Sequence, residues 1–105
     1  MENKLSILIP AYNEEKTIAA VLAKVAERTY PGWEKEIIVI DDGSRDSSKL
    51  KVQSAKSQFK IENLKLIIHD ENRGKGAAIR TGVKTASGDA VIVQDADLEY
   101  DPADI

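Results

Sequence analysis

Four short apolar runs alternate with three stretches of helical periodicity, and this alternation constrains the fold more than any other feature of the sequence. Leu5–Ile9 is apolar throughout and is stopped by Pro10. Ile18, Val21, Leu22 and Val25 then recur at i, i+3, i+4 and i+7, one face of a helix over 14–28. Asn13 suits its N-cap, and Glu14 and Glu15 suit the positive end of the helix dipole. Tyr30-Pro31-Gly32 ends that unit. Glu36–Ile40 is a second run, emptying into Asp41-Asp42-Gly43-Ser44. A helix over about 47–59 places Val52, Ala55 and Phe59 inward. Leu64–Ile68 is the third run, ending at His69-Asp70-Glu71-Asn72. The third helix follows Arg73-Gly74-Lys75-Gly76, with Ala78, Ile79, Gly82, Val83 and Ala86 inward and Gly88 as its C-terminal cap. Ala90–Val93 is the last run and delivers Gln94-Asp95-Ala96-Asp97. Runs apolar on both faces, separated by amphipathic helices, predict an α/β fold with a parallel sheet covered on both sides. Such sheets bind ligands beyond the carboxyl ends of their strands.

The 105 residues fit one domain. The absence of cysteine excludes disulfide scaffolds, zinc–thiolate sites and thiol catalysis, and suits the cytoplasm. No stretch approaches the ~18 apolar residues of a membrane span, and the first residues show no secretory signal. The net charge of −3 argues against nucleic acid as a partner. The chain stops on Asp101-Pro102-Ala103-Asp104-Ile105, acidic loop residues with no closing element. This predicts a piece of a longer protein.

Most of the 18 acidic side chains follow a strand. Glu14 and Glu15 follow the first run, Asp41, Asp42 and Asp46 the second, Asp70 and Glu71 the third. Asp95, Asp97, Glu99, Asp101 and Asp104 follow the fourth. Carboxylates crowded on one rim repel each other unless donors or a cation sit among them. Oxygen ligands of this kind suit Mg²⁺ or Mn²⁺ and a phosphate-bearing substrate. Asp95-Ala96-Asp97 places two carboxylates one residue apart at a strand end, where one can take a metal and the other a ribose hydroxyl or metal-bound water. The alternative is a solvated acidic turn.

Other segments also have two readings. Asp41-Asp42-Gly43-Ser44 is an Asx-rich turn, or a carboxylate set that accepts from a base or a ribose. Tyr12 can stack on a base, and Glu14 can hold ribose or begin a helix. Asn72-Arg73-Gly74-Lys75-Gly76 offers amides and cations before a helix, either an anion site or a close-packed helix entry. It lacks the G-K-[ST] of a P-loop and the spacing of a dinucleotide fingerprint. His69, the only histidine, reads as a strand-end residue rather than a catalyst. Trp33 reads as a packing residue in the loop before the second strand. The lysines from Lys49 to Lys60 read as a solvated helix face.

Taken together, LSILIPAYNEEKTI, EIIVIDDGSRDSS and NRGKGAAIRTGVKTASGDAVIVQDADLEYDP resemble the family-2 glycosyltransferases, and within them the dolichol- and polyprenyl-phosphate sugar transferases. The resemblance runs from Leu5 to Pro102. It implies the Rossmann-like half of a GT-A fold, with a parallel sheet of about four strands. It implies that residues 1–105 are the nucleotide-sugar-binding part, with the acceptor-binding part absent. By the same resemblance Pro10, Ala11, Tyr12 and Glu14 line the nucleotide pocket. Asp41 contacts the base while Asp42 and Ser44 shape its turn, and Lys75, Asp95 and Ala96 complete the set. Asp95, Asp97 and Glu99 would hold Mg²⁺ or Mn²⁺. Tyr100-Asp101-Pro102 departs from the family's commoner His-Pro or Tyr-Pro.

The function implied is inverting, metal-dependent transfer from a nucleotide-diphosphate sugar to a lipid-phosphate or saccharide acceptor. The chain alone is expected to be inactive, and in the full-length protein to sit at the cytoplasmic face of a membrane. A non-catalytic nucleotide-binding module is the alternative. A nucleotidylyltransferase lacks support because its glycine-rich opening is missing. In the family the sheet continues past the fourth strand, so that strand's outer edge is expected to lie bare here and to mediate a homodimer.

Overall fold

The computed structural model describes residues 3–96. Its elements are β1 (Asn3–Ala11), α1 (Ile18–Glu27), β2 (Trp33–Asp41), α2 (Ser48–Gln58), β3 (Leu64–Ile68), α3 (Lys75–Thr85) and β4 (Ala90–Val93). All pairings are parallel and the strand order is β3-β2-β1-β4. The α/β alternation read from the sequence is therefore the observed architecture.

The order contains a reversal. The chain steps outward from β1 to β2 to β3, then crosses back over the sheet to place β4 on the other side of β1. The helices divide accordingly. One face packs under α1 and α2, where Ile7, Ile9, Ile18, Leu22, Ile37 and Val39 form the larger core. Among the described elements α3 alone covers the other face, on Leu8, Ile38, Ile40 and Ala78. Between β1 and β4 the connections diverge, which opens a crevice at the strands' carboxyl ends.

Several local expectations are corrected. Pro10 lies inside β1 rather than ending it. Its backbone faces the same side as that of Leu8, whose carbonyl accepts from the Gln94 amide. Pairing with β4 has ended at Val93, so no ladder bond is lost. α1 begins at Ile18 rather than near residue 14. The amides of Asn13, Glu14 and Glu15 are instead taken by Ser44 Oγ (2.9 Å), Ser48 Oγ (2.7 Å) and Asp46 Oδ2 (3.2 Å). Asn13 sits at φ 53° and is not the N-cap; its side-chain oxygen accepts from the Arg45 amide at 2.9 Å. Trp33 begins β2 and is partly exposed. Phe59 and Val83 are exposed rather than inward. α3 ends at Thr85 and Ala86 is its C-cap, so Gly88 does not cap it. Gly88 is instead a close approach: a Cβ there would lie 2.5 Å from Ser6 Oγ. Among the described residues no helix is long and apolar enough to cross a membrane.

β4 and β3 are the two edges of the sheet among the described strands. Val91, Ile92 and Val93 are each exposed, although they alternate between the two faces.

Candidate functional site

A cleft of about 320 Å³ lies at the reversal point. The end of β1 supplies Pro10, Ala11, Tyr12 and Glu14. Asp42 enters from the end of β2, and Asp95 and Ala96 from the end of β4. The entry of α3 contributes Gly74, Lys75 and Ala78, with Asn72 before it. The topology alone brings these segments together, because each strand is followed by its loop at the same end of the sheet.

Asp42 is the best-held carboxylate of the cleft. Its Oδ1 accepts from His69 Nδ1 at 2.8 Å and the Arg73 amide at 2.9 Å, and its Oδ2 accepts from the Gly74 amide at 2.8 Å. Burial pushes the pKa of Asp42 up, but the donors from His69, Arg73 and Gly74 outweigh burial and hold it below the ordinary carboxylate range. It is thus an anion at neutral pH. The same contacts revise the anion-site reading of Asn72–Gly76. Two of that loop's amides are already spent on a carboxylate of the protein itself.

Gly43 makes the arrangement possible. It sits at φ 75°, and a Cβ there would lie 2.5 Å from the Asn72 amide nitrogen. Only glycine lets the β2–α2 turn and the β3–α3 loop approach this closely.

Lys75 Nζ reaches Asp95 Oδ1 at 2.6 Å, joining the entry of α3 to the end of β4. Thr17 Oγ1 donates to the Ala96 carbonyl at 2.7 Å, tying the start of α1 to the same strand end. Tyr12 is 41% exposed, so its ring is open to a ligand at the cleft.

Two predicted site residues do not line the cleft. Ser44 is buried, and its Oγ accepts from the Asn13 amide. Asp41 is fully buried, and its Oδ2 accepts from the Ser44 amide at 3.0 Å. Its Oδ1 has no hydrogen-bond partner among the described residues. Asp97 and Glu99 lie outside the described residues.

The acidic rim is also less naked than the sequence implies. Asp46 accepts from the Ser48 amide and hydroxyl, and burial, which raises its pKa, is outweighed by those donors. Glu15 Oε2 accepts from the Ser47 amide. Donors from the protein thus settle much of the crowding that the sequence assigns to a cation. Among the described residues no three acidic, histidine or cysteine side chains converge as a metal cage.

Sequence reasoning placed His69 at a strand end but did not foresee its brace on Asp42, and it missed Thr81 behind it and the Thr17–Ala96 contact. The usable signal for His69 is its place directly after a buried strand, at the same sheet end as Asp41-Asp42.

The comparisons with known proteins agree with this geometry. The profile described as "Glycosyl transferase family 2" matches residues 6–105. The chain is 40% identical over 104 residues to the undecaprenyl-phosphate 4-deoxy-4-formamido-L-arabinose transferase of Aeromonas hydrophila, covering 96% of this chain and 31% of that protein. It is 34% identical over 99 residues to the dolichol-phosphate mannosyltransferase of Pyrococcus furiosus, covering 94% of this chain and 27% of that protein. The chain therefore spans less than a third of the length of these relatives. Among solved structures, the mannosyltransferase PcManGT from Pyrobaculum calidifontis, in complex with GDP-Man and Mn²⁺, superposes with a TM-score of 0.83 at 29% identity, over 92% of this chain and 28% of that one. Four parallel strands in this order, a cleft at their reversal point and these likenesses together place the chain in glycosyl transferase family 2, with the GT-A architecture of its structural neighbours.

Proposed function

We propose that this chain is the donor-binding part of an inverting, metal-dependent glycosyltransferase. Its substrate is a nucleotide-diphosphate sugar and its acceptor a polyprenyl or dolichyl phosphate. The observation that carries the reading is the cleft itself, where the ends of β1, β2 and β4 meet the entry of α3. The names of the relatives, two of them lipid-phosphate sugar transferases, support the acceptor class.

Each residue has a task in this reading. Tyr12 stacks on the base at the cleft mouth. Asp41, buried off the cleft, supports the turn behind Asp42 by accepting from the Ser44 amide rather than meeting the base directly. Asp42 fixes the loop that carries Lys75, and the Lys75 ammonium meets the diphosphate. Asp97 would hold the cation, with Glu99 as a further contact, and Asp95 would serve the ribose or a metal-bound water. An all-oxygen set of one or two carboxylates plus substrate phosphates fits Mg²⁺ or Mn²⁺, which do not need a closed protein cage. When bound, the cation neutralises charge on the departing diphosphate. A lipid phosphate is already anionic and attacks the anomeric carbon from the opposite face, which inverts it without strong base assistance. Residues 1–105 supply the donor side only, so transfer requires acceptor-side residues beyond them. The full-length protein then works at the cytoplasmic face of a membrane.

Calorimetry with GDP and UDP, with and without Mn²⁺, tests the reading. Metal-dependent binding that Asp97→Asn abolishes is the expected result. Binding indifferent to metal would point to a non-catalytic nucleotide module instead. The exposed β4 edge further supports a homodimer of this chain. Light scattering that finds only monomer at high concentration would remove that element.

A further inference from the structure

The geometry points to His69 and Thr81 as positioning residues for the donor cleft: they fix the Asp42 carboxylate, which in turn fixes the loop carrying Lys75. This rests on the donor-binding reading and adds two residues to it. His69 follows β3, is buried, and does not line the cleft. Its Nδ1 lies 2.8 Å from Asp42 Oδ1 and its Nε2 lies 2.8 Å from Thr81 Oγ1 on α3.

The roles of the two ring nitrogens follow from the partners. An ionised carboxylate only accepts, so Nδ1 carries the proton toward Asp42. In the neutral ring Nε2 is then an acceptor, and the Thr81 hydroxyl donates to it. The chain of contacts runs from Thr81 in α3 through His69 to Asp42, and from Asp42 to the amides of Arg73 and Gly74 at the entry of the same helix. It closes on itself. The His69 amide also donates to the Asp41 carbonyl at 2.9 Å, so the ring has a fixed backbone base. Free to turn, Asp42 would release the two amides, and the loop that points Lys75 at Asp95 would lose its anchor.

The two nitrogens can be imitated separately. Asparagine places an amide near the position of Nδ1, and glutamine places one near Nε2. His69→Asn therefore keeps the bond to Asp42, whereas His69→Gln keeps the bond toward Thr81. A role limited to filling space would not tell these variants apart. Amide hydrogen exchange at Arg73 and Gly74, measured on the whole chain, reads the anchor directly. Exchange in His69→Asn should stay within about threefold of wild type, and in His69→Gln it should rise about tenfold or more, as expected for a lost bond to a charged group. Affinity for GDP or UDP with Mn²⁺ should fall in the same order. Equal exchange in the two variants would overturn the inference. If His69→Gln does not fold, Thr81→Val replaces it: faster exchange at Arg73 and Gly74 supports the inference, and unchanged exchange overturns it. A wild-type chain that binds neither nucleotide would remove the donor-binding reading, while the exchange comparison would still decide what His69 and Thr81 do.

Discussion

β2 and the turn that follows it bury several carboxylates, and two of them, Glu36 and Asp42, are held in opposite ways. Glu36 is 2% exposed and Asp42 3%. Glu36 lies away from the cleft. Its Oε2 accepts from the Ser6 hydroxyl at 2.5 Å, the Ser87 amide at 2.7 Å and the Ser87 hydroxyl at 3.0 Å. Its Oε1 makes no hydrogen bond among the described residues, but Lys65 and Lys4 lie 3.6 and 3.8 Å away. These contacts tie β1 and β2 to the α3–β4 connection, and Glu36, Ser6 and Ser87 do not line the cleft. Asp42 ties loops together as well, but it does so on the wall of the cleft. The difference teaches that a buried acid on this strand is not by itself a sign of chemistry. What separates the two is whether the carboxylate lines the cleft, as Asp42 does and Glu36 does not.

The largest effect should come from breaking the structural end. Glu36→Ala leaves two serines and two lysines without their acceptor and should cost about 3–5 kcal/mol in urea denaturation. A loss below about 1 kcal/mol would mean that the network is ornamental. Acid tests the same end. Burial raises the Glu36 pKa, but the donors from Ser6 and Ser87 and the charge of Lys4 outweigh burial and lower it from 4.5 to about 2. Because the folded pKa is depressed, this stability is complete above pH 4.5 and disappears as pH falls toward 2. It amounts to roughly 3 kcal/mol, and Glu36→Gln should flatten stability against pH in that window.

Smaller effects belong to the cleft end. Asp42→Asn should cost about 1.5–3 kcal/mol of stability and, unlike any change at Glu36, should weaken nucleotide binding. Lys75→Ala should change stability by no more than about 1 kcal/mol, because the pair with Asp95 is 61% and 47% exposed. A nucleotide affinity unaltered in Lys75→Ala would detach that residue from the site.

Strand and helix identities were legible because each apolar run and each helical stripe is a local property of the sequence. The places where sequence reasoning failed share a physical cause. The start of α1 is decided by Ser44, Asp46 and Ser48, about thirty residues away. Gly88 is decided by contact with Ser6. Val83 is predicted inward by periodicity, but α3 is the only described helix on its face and only a narrow stripe of it is covered. The site was legible as a set of strand ends, since parallel strands deliver their loops to one edge. The division of labour among its acids was not. Asp41 and Asp42 are neighbours in sequence, yet one is fully buried off the cleft and the other lines it. His69 was read correctly as a strand-end residue, but its brace was not legible because its two partners, just past β2 and on α3, are connected by no spacing rule.

The most direct test of the contrast is a parallel titration of wild type, Asp42→Asn and Glu36→Gln with GDP and UDP in Mn²⁺, under conditions where all three are folded. The account predicts metal-dependent binding by wild type, an affinity within about twofold for Glu36→Gln, and a loss of about tenfold or more for Asp42→Asn. Equal affinities in the two variants, or no binding by wild type, would contradict it.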